Sequence, residues 1–196
     1  MARLEPCRRE DHPDLESEFK FCEEFLGFLP NDVLTLAHIP EVAKSFTNFC
    51  QSIYQSGNVD PGLLQLVGTV TSSAAGCRYC TAHMAQTSSR FGVTQEKLDQ
   101  VWLFESSPEF SERERSVLRV AMHAGQSPNA VSDEDIDALK KYYPSSDIVQ
   151  LMSVIALFGF LNRWNDSLAT KLENTPREFA EKSLQATDWE VGKHDA

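Results

Sequence analysis

The sequence is poor in positive charge, in long apolar runs and in alternating patterns, and each shortage removes a class of protein. Eighteen lysines and arginines face 29 aspartates and glutamates, a formal net charge of −11. A surface that acidic repels phosphate backbones and anionic lipid, so neither nucleic acid nor a membrane is an expected partner. The longest nearly apolar run, LMSVIALFGFL at residues 151–161, has 11 residues, well short of the ~18 that a bilayer span needs. The opening MARLEPCRREDHPD holds no apolar core of a secretory signal, which points to the cytoplasm. Thiols stay reduced there, and disulfides are usually transient and catalytic. Five cysteines, with Cys7, Cys22 and Cys50 scattered, do not make a structural disulfide framework. No segment alternates polar and apolar residues over strand length, and no Asn-Gly pair marks a hairpin.

What remains reads as helices. Phe19, Cys22, Phe25, Leu26 and Leu29 recur at steps of three and four, and Val42, Phe46, Phe49, Cys50 and Ile53 repeat the pattern. Gly57 is placed to stop that second helix. Further helices are predicted from Asp60 and Pro61, from Arg78 to Phe91 with Gly92 closing it, and after Thr94 as N-cap. Ser111 with Glu114 forms a capping box for a helix ending near Gly125. Ser132 caps DEDIDALKKYY, whose acidic first turn suits the helix dipole. A long segment spans residues 146–173, and TPRE opens the last helix with Thr175 as cap, Pro176 at the first helical position and Glu178 closing the box. The expected fold class is all-α, a helical bundle in a single domain, which 196 residues suffice to build.

Only Cys77 and Cys80 form a motif, in GCRYCTAH. Three residues are most of a helical turn, so both sulfurs project from nearly one side. Gly76 before them suggests a helix start, where unsatisfied N–H groups and the dipole favour a thiolate. His83 lies one step beyond and is able to take a thiol proton. Nucleophile, resolving partner and base together make a thiol redox site. Core packing competes with this reading, because buried cysteines behave as small hydrophobes, although Arg78, Tyr79 and Thr81 are poor flanks for an apolar face. Zinc also competes, but it wants four ligands, and His12, His38, His123 and His194 are isolated in the sequence; no metal is expected. Thioredoxin-type architecture is excluded by the lack of strands.

On an all-α chain, GCRYCTAH resembles the AhpD-like superfamily, which groups alkylhydroperoxidases with carboxymuconolactone decarboxylase domain proteins. The likeness runs from about Val59 onward. It continues through ERERSVLRVAMHAGQSPNAVSDEDIDALKKYYPSSDIVQLMSVIALFGFLNRWNDSLA, with Phe160, Asn162 and Arg163 in an FxNR-like pattern. The resemblance implies a domain at 58–186, preceded by an N-terminal helical region at 1–57 that packs on the core or an oligomer interface; residues 187–196 read as a loosely ordered tail. It implies that Cys80 attacks a small hydroperoxide and that Cys77 resolves the product as a disulfide. No cofactor is implied beyond that redox-active Cys77–Cys80 pair; a thiol reductant and a homo-oligomer are. The relay glutamate of the family falls on Gln65, an amide that cannot take up a proton at neutral pH. The family histidine falls on Met84, so that His83 sits one step early, about 100° around the helix. Gln65, Tyr79 and Asn162 are the expected supporting residues. Two other functions fit the same fold: a decarboxylase acting on a small lactone acid, and a non-enzymatic redox-sensing or structural oligomer.

Overall fold

The computed structural model describes residues 2–184, 187 and 189–195. Among these it holds ten α-helices and no strand. They are α1 (Glu16–Leu26), α2 (Asn31–Leu36), α3 (Pro40–Gln55), α4 (Pro61–Ala74), α5 (Arg78–Arg90), α6 (Gln95–Asp99), α7 (Glu112–Gly125), α8 (Asp133–Lys140), α9 (Ser145–Leu168) and α10 (Asn174–Ser183).

The centre is α4, buried continuously from Gly62 to Ser72 and packed on α5, α7 and α9. Its start is set by Asp60, whose side chain accepts from the Leu63 N–H at 2.9 Å, with Pro61 needing no such partner. Helix α5 is as buried, from Tyr79 to Ser88, although its sequence reads as polar. Its hydroxyls are satisfied within the helix: Thr81 Oγ1 donates to Cys77 O at 2.9 Å, Thr87 to His83 O at 2.7 Å and Ser88 to Met84 O at 2.8 Å. This back-bonding lets small polar side chains enter a core without leaving unpaired donors. A smaller cluster of Leu15, Phe19, Cys22, Val33, Leu36, Ala37 and Ala43 joins α1, α2 and α3, with Phe46 and Trp164 packed against it.

Helix α9 is, by length and composition, apolar enough to cross a membrane, beyond what the 11-residue run at its centre suggests. Its apolar window has a mean hydropathy of 1.4, and 50% of that window is buried within the fold. Such a helix serves as a core element, and here it lies against α3, α4 and α5.

One expected helix end holds and one is corrected. Helix α3 ends at Gln55, just before Gly57, but the glycine is not left-handed: an added Cβ would lie 1.8 Å from Gln150 Oε1. The glycine instead admits Gln150, which donates to Ile53 O at 2.8 Å and accepts from Val59 N–H at 3.2 Å. Helix α10 begins at Asn174 with Glu173 at the N-cap position, and no side chain caps it. Thr175 and Pro176 lie inside its first turn, and the Glu173 carboxylate, engaged elsewhere, does not cap it.

Described residues of the tail make specific contacts with the body of the fold. Leu172 N–H donates to His194 O at 2.9 Å, His194 is buried, and Trp189 Nε1 donates to Arg78 O at 3.0 Å. Backbone pairing and single aromatic contacts hold it, neither of which has a sequence period. Residues 185, 186, 188 and 196 of the expected domain and tail lie outside the described residues.

Close approach of α4 and α7 is carried by Gly125, where a Cβ would meet Thr71 O at 2.5 Å and Ala74 Cβ at 2.8 Å. Gly125→Ala forces backbone against backbone and is expected to cost about 1–3 kcal/mol. At about 2–4 °C per kcal/mol for a chain of this size, thermal unfolding reads this directly. An unchanged midpoint would show that the two helices part freely.

Candidate active site

Gly76 takes φ +75°, turning the chain so that Cys77 becomes the N-cap of α5. Its sulfur faces the orphan backbone donors and accepts from Cys80 N–H at 3.5 Å. Cys80, in the first turn, is 2% exposed and Cys77 is 1% exposed. Asn165 of α9 donates through Nδ2 to Cys80 Sγ at 3.4 Å, and through the same nitrogen to Asp32 Oδ2 of α2 at 3.0 Å. Burial, and then the hydrogen bond with Cys77, push the Cys80 thiol well above its ordinary value, while the Asn165 bond pulls it down. Cys80 is therefore a thiol at neutral pH and needs a base before it reacts.

His83 lies one turn on. Its ring stacks on Tyr79 with centroids 4.2 Å apart and meets the Phe28 ring edge-on at 5.0 Å. Its Nε2 is 2.6 Å from Glu173 Oε2. The other carboxylate oxygen, Glu173 Oε1, accepts from Tyr79 Oη at 2.8 Å and from the Asn31 N–H. Glu173 thus fixes the imidazole tautomer: Nε2 carries a hydrogen, and Nδ1 is the nitrogen left for a proton or a substrate. The loop that delivers Glu173 starts at Ala169, held at φ +48°, a conformation that costs an alanine about 1 kcal/mol.

Cys80, His83 and Asp32 share a cavity of about 80 Å³. Phe21, Phe25, Phe46, Tyr54, Phe158 and Leu161 form much of its wall, and Cys22, Cys50 and Met84 complete it with sulfur. Among the described residues, Asp32 is the single carboxylate on that wall. Burial raises its pKa, against the pull of His83 and the Asn165 bond. A raised carboxylate contributes stability below the ordinary carboxylate range and loses it as pH rises through its folded value. Asp32→Asn is therefore expected to match the native chain in thermal midpoint near pH 4 and to exceed it by a widening margin towards pH 8. A margin that narrows with rising pH would refute the assignment.

Of the expected site residues, the structure brings together Cys77, Cys80, His83 and Tyr79. Gln65 and Asn162 are buried, but neither lines the cavity and neither amide makes a hydrogen bond. Asn165, one turn beyond Asn162, is the amide that reaches Cys80. Glu173 and Asp32 carried no motif in the sequence. Among the described residues, no three His, Cys, Asp or Glu side chains converge to hold a metal ion.

Residues 40–123 match the carboxymuconolactone decarboxylase family. The debrominase Bmp8 in its apo form shares 33% identity with this chain, covering 91% of it and 96% of Bmp8, with a TM-score of 0.87. The chain belongs to the carboxymuconolactone decarboxylase family. A variant of Bmp8 in complex with 2,3,4-tribromopyrrole superposes equally well, at 32% identity, TM-score 0.87 and the same coverage. A peroxidase-related protein with an alkylhydroperoxidase AhpD core from Ralstonia eutropha JMP134 shares the fold, at 21% identity and TM-score 0.76 over 91% of this chain and 94% of that one. No match to this chain was found among curated proteins. Within this family's AhpD-like fold, the glutamate expected at position 65 is absent, and a carboxylate from the loop before α10 contacts the histidine instead.

Proposed function

We propose that this chain is a dithiol-dependent reductase that passes two electrons from Cys77 and Cys80 to a small apolar electrophile, with a halogenated aromatic ring as the favoured substrate. The observation that carries this reading is the placement of the Cys80 sulfur in an aromatic-walled cavity beside a histidine whose tautomer Glu173 fixes. Likeness to a debrominase over nearly the whole chain supports it.

In the proposed reaction His83 Nδ1 takes the Cys80 proton. The thiolate attacks the halogen, the carbon–halogen bond breaks, and the ring carbon keeps the electron pair and receives the proton back from His83. Cys77 then attacks the Cys80 sulfur and expels halide, leaving the Cys77–Cys80 disulfide. The sum is one halogenated ring and two thiols giving one reduced ring, one disulfide and one hydrogen halide. Asn165 steadies the thiolate by donating to it, a charge-assisted bond stronger than its neutral counterpart.

A hydroperoxide is the second reading, favoured by size. The cavity of about 80 Å³ is smaller than the ~150 Å³ apolar cavity that takes up benzene, so a ring has to displace the half-buried Phe21, Phe25 and Leu26. The decarboxylase alternative is disfavoured, because the wall carries Asp32 and no lysine or arginine to meet a substrate carboxylate. A homo-oligomer is supported by the exposed apolar residues Ile39, Val42 and Phe49 on or beside α3, and Val149 and Phe160 on α9.

Anaerobic single turnover tests the reading. Reduced protein is mixed with a brominated pyrrole, and bromide and the cysteine states are counted. One bromide per Cys77–Cys80 disulfide is expected. A disulfide formed with organic hydroperoxide but no bromide from the pyrrole would select the second reading.

A further inference from the structure

The two sulfurs open onto different cavities. Cys80 lines the internal aromatic one and not the surface one; Cys77 lines the surface one and not the internal one. The reason is local. Cys77 is the N-cap and Cys80 the first-turn residue three positions on, so their side chains start close together and diverge. The surface cavity measures about 370 Å³ and is lined by Gly76, Cys77, Arg78, Thr81, Trp102 and Trp189. It is of ligand size, more than four times the volume on the Cys80 side. Its cation is Arg78, whose side chain is 44% exposed and meets Glu190 at 3.4 Å, at the weak end of pairing. Trp189 is held over this rim by its bond to Arg78 O.

We propose that this second cavity binds the reductant, a free low-molecular-weight thiol bearing a carboxylate, and that it attacks Cys77. This rests on the dithiol reading above, since only a Cys77–Cys80 disulfide needs a reductant. Burial and size favour a small molecule over a protein thiol: Cys77 lines the cavity with only 1% of its surface exposed, out of reach of a cysteine mounted on a protein surface. The charge of Arg78 favours an anionic thiol, whose carboxylate displaces Glu190. In the reaction the incoming thiolate bonds to Cys77 Sγ and the Cys77–Cys80 bond breaks. Its electron pair goes to Cys80, which takes up a proton in the inner cavity. A second thiol then attacks the small-molecule sulfur of the mixed disulfide, releasing Cys77 thiolate and the symmetrical disulfide. One protein disulfide and two thiols become one protein dithiol and one small disulfide. Substrate and reductant never compete for one pocket.

The test uses the full chain oxidised with diamide, so that it does not depend on any electron-accepting substrate. Thiol recovery is followed by trapping and mass spectrometry with glutathione or cationic cysteamine, each rate normalised to the same thiol's attack on a small reference disulfide. Glutathione is expected to be favoured, and Arg78→Ala to lower that preference about two- to fivefold, with cysteamine reacting no more slowly than before. With oxidised glutathione, Cys80→Ala is expected to take the mixed disulfide on Cys77, whereas Cys77→Ala leaves Cys80 unmodified. Labelling of Cys80, an unaltered preference in Arg78→Ala, or faster reduction by thioredoxin than by glutathione at equal concentration would each overturn the proposal. Failure of diamide to join the pair would instead overturn the dithiol reading beneath it.

Discussion

Cys80→Ser is expected to abolish turnover, by more than about 1,000-fold, because a hydroxyl at that position is neither a thiolate nor able to form a disulfide. The exchange is close to isosteric in a site 2% exposed, so circular dichroism and the thermal midpoint should stay near those of the native chain. Two other thiols line the same cavity, and the prediction distinguishes Cys80 from them. Burial pushes Cys22 up to about 12 and raises Cys50 as well. Neither has a motif partner, whereas Cys80 has Cys77 one turn back, Asn165 donating to its sulfur and His83 one turn on. Cys77→Ser should behave differently: one equivalent of product is released, and Cys80 stays trapped in its oxidised form with nothing to resolve it. Because the Cys80 thiol is held above its ordinary value, removing the internal base with His83→Ala should make the single-turnover rate climb with pH from 7 to 9, by up to about tenfold per unit. Full activity in Cys80→Ser, or a His83→Ala rate flat with pH, would remove Cys80 from the chemistry.

Local signals account for what the sequence disclosed. The caps at Thr94, Ser111 and Ser132 are all observed, because each joins a side chain to an N–H three residues away. The cysteine pair is equally local, and Gly76 before it takes the left-handed turn that an N-cap at Cys77 requires. What stayed hidden is set by distance along the chain. Glu173 meets His83 across 90 positions, and Asp32 meets Asn165 across 133. No spacing rule reaches that far. Position 65 illustrates the cost: an amide there removes the expected base, yet the fold supplies a carboxylate from another loop. Helix α5 was misleading in a second way, because hydroxyls that bond their own helix carry no visible mark of burial.

Glu173→Gln is the second large effect, an expected loss of about 100- to 1,000-fold in the single-turnover rate. The carboxylate holds a hydrogen on His83 Nε2 and so leaves Nδ1 for proton transfer. An amide is able to present N–H to that nitrogen instead and select the opposite tautomer, which is ruinous where an imidazole has to move a proton. The fold should tolerate the change, since a glutamine oxygen still accepts from Tyr79 Oη and the Asn31 N–H. The discriminating measurement is the double variant. If Glu173 acts through His83, Glu173→Gln combined with His83→Ala is no slower than His83→Ala alone, because the residue to be oriented is already gone. Losses that multiply would show Glu173 contributing on its own, as the anchor that ties α2 and the start of α10 to Tyr79, and the proton would then have to travel by way of Asp32.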